Sequence, residues 1–375
     1  MLKRTITATV VALAIGCTTY AQPMQNLLSP AERSLSAIAA LEAKGDILRL
    51  SEAIDEGYDS SLTTSQIKEA LTQLYAYTGF PRSLNGLTAL QKVISQRTAE
   101  GKPVPEGVEA SPLPSDYNAL EQGTAVQTRL VGAPYTNTFA PAADYYLKAH
   151  LFGDIFSRDN LSAPERELVT VSAISALPGC ESQLVAHVSG ARNMGLSDEL
   201  IHSIPLNLEE KVGLEPAYRC LRAISTVYGE PFDEVEMARR YRIGIENSPY
   251  PVGEPNSIAG QYFIGRSYLA QMDTSEGGPI NVTFEPGCRN NWHIHHASVQ
   301  VLICVAGRGW LQFEGQDPIE MTPGVVVAIP AETKHWHGAA RDSWFQHLTY
   351  VTKAEEGASN EWLERVEDEE YFKLK

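Results

Sequence analysis

Cysteine is scarce in this chain. Its 375 residues carry five, none of them in a Cys-x-x-Cys pair, which excludes a zinc ribbon. Cys180, Cys220, Cys288 and Cys304 lie far apart, and Cys304 stands in an apolar run where a thiol acts as a small core hydrophobe. Positive charge is scarce too. Lys and Arg number 30 against 46 Asp and Glu, a net charge of −16. Nucleic-acid binding needs a basic face, so that class is excluded. No apolar run reaches the ~20 residues that a membrane-spanning helix requires.

The first residues read as an export signal. Lys3 and Arg4 precede a short apolar stretch from Ile6 to Gly16, and Tyr20-Ala21-Gln22 offers a cleavage point. Residues 1–21 are therefore expected to be a signal peptide and the product periplasmic or secreted. The alternative is a lipoprotein box ending at Cys17, which would become the lipid anchor.

An internal repeat follows. LSPAERSLSAIAAL (28–41) parallels LSAPERELVTVSAISAL (161–177). LTTSQIKEAL (62–71) parallels LSDELIHSI (196–204), and TGFPRSLNGL (78–87) parallels VGLEPAYRCL (212–221). The first pair opens with a capping Ser, a Pro in the first turn and an acid soon after, then apolar residues at helical spacing. The offset is about 133 residues, the signature of a duplicated helical module. Repeat 1 is assigned to 22–110 and repeat 2 to 111–240, with a Pro-rich acidic connection, GKPVPEGVEASPLPSDY, between them. After a linker at 241–257 the pattern changes. Strand-like runs such as INVTFEP, VQVLICVAG and GVVVAIP, separated by Gly and Pro, predict a β-barrel or sandwich over 258–375. The final SNEWLERVEDEEYFKL is expected to form an amphipathic helix against its outside.

Six of the nine histidines fall between 293 and 347. His293 and His295 are two apart, as are His335 and His337, so on extended strands each pair faces one side. Two such strands could converge on a divalent first-row metal. The spacing Gly287-x5-His293-x-His295-x4-Gln300-x6-Gly307, followed by Gly324-x5-Pro330-x4-His335, resembles the two motifs of the cupins. That resemblance implies a cupin barrel with His293, His295, Gln300 and His335 as ligands of manganese, iron or zinc. Gln300 replaces the usual acid and Glu332 replaces the usual Gly after the Pro. A neutral amide leaves the ion more positive, which favours Lewis-acid chemistry over oxygenase chemistry. This version, ending in LysHisTrpHisGlyAla, resembles small metal-binding cupins that include bacterial hydroxynitrile lyases. His337 and His347 are the candidates for moving the proton, and His296 falls on the opposite face.

In repeat 2, Glu167 is followed by Cys180, Gln183 and His187. Cys-x2-Gln-x3-His places Gln183 and His187 on one helical face. Together with LSAPERELV and VSGARNMGLSDELI it resembles the carboxymuconolactone decarboxylase family, which includes alkylhydroperoxidase D-like proteins. That resemblance implies an all-helical fold, trimeric or hexameric assembly, and Glu167, Cys180 and His187 as site residues. Gln183 stands where hydroperoxidase members have a second Cys, so a dithiol cycle lacks its resolving partner. The reading is an exported metal-dependent lyase or isomerase acting on a small oxygenated molecule. The alternatives are a Cys180-dependent peroxidase and a non-enzymatic small-molecule binding protein.

Overall fold

The computed structural model describes residues 25–273 and 278–374. The expected signal peptide and the lipoprotein box at Cys17 lie outside the described residues. No helix among those residues is long and apolar enough to cross a membrane.

The N-terminal two thirds is helical. Four helices, α1 (Pro30–Lys44), α2 (Ile47–Asp59), α3 (Thr64–Thr78) and α4 (Phe80–Ala99), form the first set. Helices α5 (Ala119–Val131) and α6 (Pro141–Tyr146) and a π-helix (Leu147–Ile155) intervene. Then α7 (Ala163–Ser175), α8 (Glu181–Met194), α9 (Asp198–Lys211) and α10 (Leu214–Tyr228) repeat the first set, before a short α11 (Glu234–Arg240). Equivalent helices start by equivalent chemistry. Ser29 with Glu32, and Ser162 with Glu165, close reciprocal capping boxes on α1 and α7. These two helices are buried nearly all round because both sit at the centre, where Ser172 donates to Ser36 at 2.8 Å. Arg166 of α7 is fully buried and reaches Glu69 of α3 at 2.8 Å, so charge as well as apolar packing joins the two sets.

One central acid has a measurable consequence. Glu42 of α1 is buried; Oε1 accepts from Thr78 at 2.9 Å while Oε2 has no partner. Burial pushes its pKa from 4.5 to about 7. The folded state therefore keeps a proton that the unfolded chain releases, and stability falls as pH rises from about 4.5 to about 7. Glu42→Gln is expected to remove that slope and to stabilise the protein by roughly 1–3 kcal/mol at pH ~8, with little effect at pH ~4.5. Thermal unfolding at the two pH values checks this, and an equal shift at both would contradict it.

The rest is antiparallel β. The strands are β1 (Glu254–Pro255), β2 (Phe263–Ile264), β3 (Ser267–Gln271), β4 (Ile280–Phe284), β5 (Arg289–Asn290), β6 (His293–His296) and β7 (Val299–Gly307). They continue with β8 (Gly309–Phe313), β9 (Ile319–Met321), β10 (Val326–Ile329), β11 (His335–Ala339), β12 (Phe345–Thr352) and β13 (Ser359–Trp362). One sheet runs β1-β3-β4-β12-β7-β10, and the other β13-β6-β11-β5-β2, with β8 added beside β11 and β9 beside β8. Phe284, Leu302, Leu311, Ile329 and Phe345 fill the space between them. This is the barrel of the expected cupin fold.

The linker segment 241–257 lies against the barrel: the Trp344 backbone N–H donates to Ile243 at 2.8 Å, and β1 pairs with β3. The expected C-terminal helix is mostly not one. Ser359–Trp362 adds to β6 as strand β13, and only Asp368–Tyr371 is helical (α12). The open edge of β6 offers backbone partners that outweigh the helical period of WLERV. Packing against the outside of the barrel does hold, since Tyr371 is buried in a cluster with Trp336, Trp292 and Val366.

Candidate metal centre

Three of the expected ligands meet in the barrel. β11 pairs with β6 so that His335 lies opposite His293. The ring centroids of His293 and His335 are 4.1 Å apart, and those of His293 and His295 are 5.2 Å apart. Nitrogen atoms of His293, His295 and His335 all lie within 4.8 Å of one another. Gln300 projects from β7 in the opposite sheet and brings Oε1 to 3.2 Å from His335 Nε2. All four side chains are buried.

Whether this set fits a metal can be tested on its unused atoms. His293 turns Nδ1 to the Asn291 carbonyl at 3.0 Å, and His335 turns Nδ1 to the Thr333 carbonyl at 2.9 Å. Backbone acceptors on Nδ1 fix the tautomer that leaves Nε2 as a lone pair, the arrangement of metal-binding histidines. His295 has no hydrogen-bond partner on either nitrogen although it is buried. Burial holds His335 down to about 4 and His293 well below the usual imidazole range. Both rings are therefore neutral near pH 7, as ligation requires. The residues fit a divalent ion, with three imidazoles and one amide oxygen as donors.

His337 and His347 lie beside these ligands without joining them. His337 follows His335 on the same face of β11, and its ring centroid is 5.6 Å from that of His293. Asn290 of β5 holds it twice. Asn290 Oδ1 accepts the His337 backbone N–H at 3.0 Å, and Asn290 Nδ2 lies 3.0 Å from His337 Nε2. His347 comes from β12, where the register on β7 shifts at Gln346/His347. Such irregularities re-aim side chains beside functional sites. Its ring stacks near Phe284 and Phe345 at 5.5 and 5.0 Å, lies 5.0 Å from His337, and leaves both nitrogens unpartnered. Burial lowers its pKa to about 3.

His296 faces outward, paired with Glu332 at 2.6 Å and Glu361 at 3.0 Å. Glu332, which stands where the cupin pattern has Gly, takes a left-handed φ of 62°. Its N–H donates to the His295 carbonyl and its carboxylate accepts the Ala297 N–H, each at 3.0 Å. These bonds compensate the backbone cost of a side chain at that position and hold the turn that follows His295.

The helical candidates are also brought together in part. Glu167 of α7 is fully buried and lies 2.9 Å from His187 Nδ1 on α8. Its second oxygen has no partner. Cys180 is half-buried at the N-cap of α8 and is a free thiol, as is the fully buried Cys220. Burial pushes the Cys220 thiol up to about 12, which makes it a poor partner for thiol exchange.

Three residues at these sites escaped the sequence reading. Tyr77, from the first helical set, presents its ring edge to His187 at 5.6 Å with its hydroxyl buried and unpartnered. Trp362 stacks on His293 at 4.8 Å. Asn290 reaches His337 across strands. Only the register of the folded chain joins any of them to the site; no local signal marks them.

The comparisons agree with this architecture. Residues 280–345 match the family described as cupin domain, and residues 141–225 match the carboxymuconolactone decarboxylase family. The chain is 45% identical over 91 residues to an (R)-mandelonitrile lyase of Granulicella tundricola, covering 24% of this chain and 68% of that protein. A cupin-like protein of Thermotoga maritima is 34% identical over 34% of this chain and 96% of its own, with a TM-score of 0.31. Through its C-terminal barrel this chain belongs to the cupin family, and it carries a carboxymuconolactone decarboxylase family domain ahead of that barrel.

Proposed function

We propose that the barrel is a metal-dependent lyase that breaks a carbon–carbon bond in a small hydroxylated molecule, with cyanohydrins as the substrate class. The observation that carries this reading is the donor set. His293, His295, His335 and Gln300 are all neutral, and no carboxylate joins them among the described residues. Neutral donors would leave a bound manganese, iron or zinc ion its full positive charge, and the chemistry it would supply there is Lewis-acid assistance at a substrate oxygen. The chain's own residues supply the rest. Phe284 and Phe345 present apolar surface beside His347 and keep water away from it. His337 and His347 are the groups beside the ligands able to take or share the hydroxyl proton. The likeness to a mandelonitrile lyase supports the substrate class.

Assembly through the helical part belongs to the same proposal, supported by the exposed Phe80, Phe139, Tyr145 and Tyr146. The test is aldehyde release from (R)-mandelonitrile and related cyanohydrins by the full-length protein. Turnover should vanish on chelation, return with manganese, iron or zinc, and survive Cys180→Ser. Peroxide reduction that depends on Cys180, with no aldehyde release, would move the chemistry to the helical domain.

A further inference from the structure

From the two hydrogen bonds between Asn290 and His337 we infer that Asn290 locks His337 as the Nδ1–H tautomer, making His337 a hydrogen-bond donor to substrate and leaving His347 as the proton acceptor. The role toward substrate rests on the lyase reading. The lock does not.

The argument starts from a group that has no choice. A backbone N–H can only donate. The His337 N–H points at Asn290 at 3.0 Å, so the atom it meets must be the amide oxygen. That fixes the orientation of the amide, and the NH₂ group is then the one 3.0 Å from His337 Nε2. Two donors cannot face each other, so Nε2 presents its lone pair. A neutral imidazole carries a single N–H, which must then sit on Nδ1. An Nε2 that presents its lone pair to the amide also carries no second proton, so the ring is neutral by the same contact.

Gly338 makes the contact possible. A Cβ there would lie 2.5 Å from Arg289 Cβ and 2.6 Å from the Cys288 carbonyl oxygen. Only glycine lets β5 approach β11 this closely, and Asn290 is the next residue on β5.

The consequence is an orphan. His337 Nδ1 is buried and has no partner. A buried unpaired donor is unfavourable, and a substrate acceptor would relieve it. His347 is not committed in this way: neither of its nitrogens is bonded, so one lone pair is available. In the cleavage, the hydroxyl proton passes to His347. The O–H electron pair becomes the new C=O bond. The C–C pair leaves on the departing carbon, which the His337 Nδ1–H stabilises until it takes the proton from His347. Protons and electrons balance with no further reactant.

The test reads the ring directly. Full-length protein labelled with ¹⁵N-histidine is loaded with zinc, which is diamagnetic, and long-range proton–nitrogen correlations are recorded. The His337 signals are identified by their loss in His337→Gln. The expected pattern is a pyrrole-type Nδ1 and a pyridine-type Nε2. In Asn290→Asp, a carboxylate oxygen faces Nε2, so Nε2 should become protonated. The kcat for the cyanohydrin should fall at least about tenfold with metal content and KM little changed. A wild-type ring protonated on Nε2 overturns the inference whether or not Asn290→Asp folds, and leaves the lyase reading untouched. The expected tautomer without turnover of any cyanohydrin would establish the lock and overturn the donor role together with the lyase reading.

Discussion

Replacing His293 with Ala is expected to empty the barrel of metal and to lower turnover at least about 10³-fold, since Lewis-acid assistance is worth several kcal/mol and each 1.36 kcal/mol is a factor of ten. His293 is the centre of the cluster. It lies opposite His335 in the strand register, its ring is close to those of both His295 and His335, and Trp362 covers its face. Its Nδ1 is already committed to Asn291, so Nε2 faces the other donors. Metal analysis of the purified variant decides the first half and aldehyde release the second. His296→Ala is the matched control. It removes an imidazole three residues away that faces Glu332 and Glu361 outside the barrel, so metal and activity should both persist. Chelation of the wild type should also lower the unfolding temperature of the barrel, because a ligand that binds only the folded state stabilises it. Stoichiometric metal in His293→Ala would mean that these imidazoles are not the site.

The histidine cluster was legible in the sequence because its geometry is local. Residues two apart on a strand share a face, so His293 with His295 and His335 with His337 could be placed without knowing the fold. The helical repeat was legible for a similar reason. Ser29-Pro30 with Glu32, and Ser162 with Pro164 and Glu165, announce helix starts by short-range chemistry. What stayed hidden depends on register between distant strands. Asn290 meets His337 only because Gly338 lets two strands close up. Trp362 reaches His293 only because the C-terminal segment adds to the edge of β6 as a strand. That segment misled the helical reading because WLERV fits the helical period, and the available strand edge is not visible in its own residues. Tyr77 faces His187 across the two helical sets, a contact set by how they pack.

Proton transfer offers a prediction in which activity and stability move in opposite directions. His347→Phe is expected to lower kcat by about 10²-fold or more while the metal stays bound and the protein becomes more stable. The site accepts the substitution: the His347 ring packs against both Phe284 and Phe345, at 5.5 and 5.0 Å, and those two rings are 5.9 Å apart, so a phenyl ring completes an aromatic cluster of three. It removes two buried nitrogens that have no partner, each of which costs free energy in the folded state. His347 is not among the clustered nitrogen donors, so metal content should match the wild type. What disappears is the imidazole that burial keeps neutral and that no hydrogen bond commits to either tautomer. A residue that merely fills the core would give a different result, because Phe would then preserve turnover along with packing. Metal analysis, thermal unfolding and steady-state kinetics on one preparation separate the two. Full turnover with full metal in His347→Phe would remove this imidazole from the mechanism, and the proton would have to reach the substrate by another group.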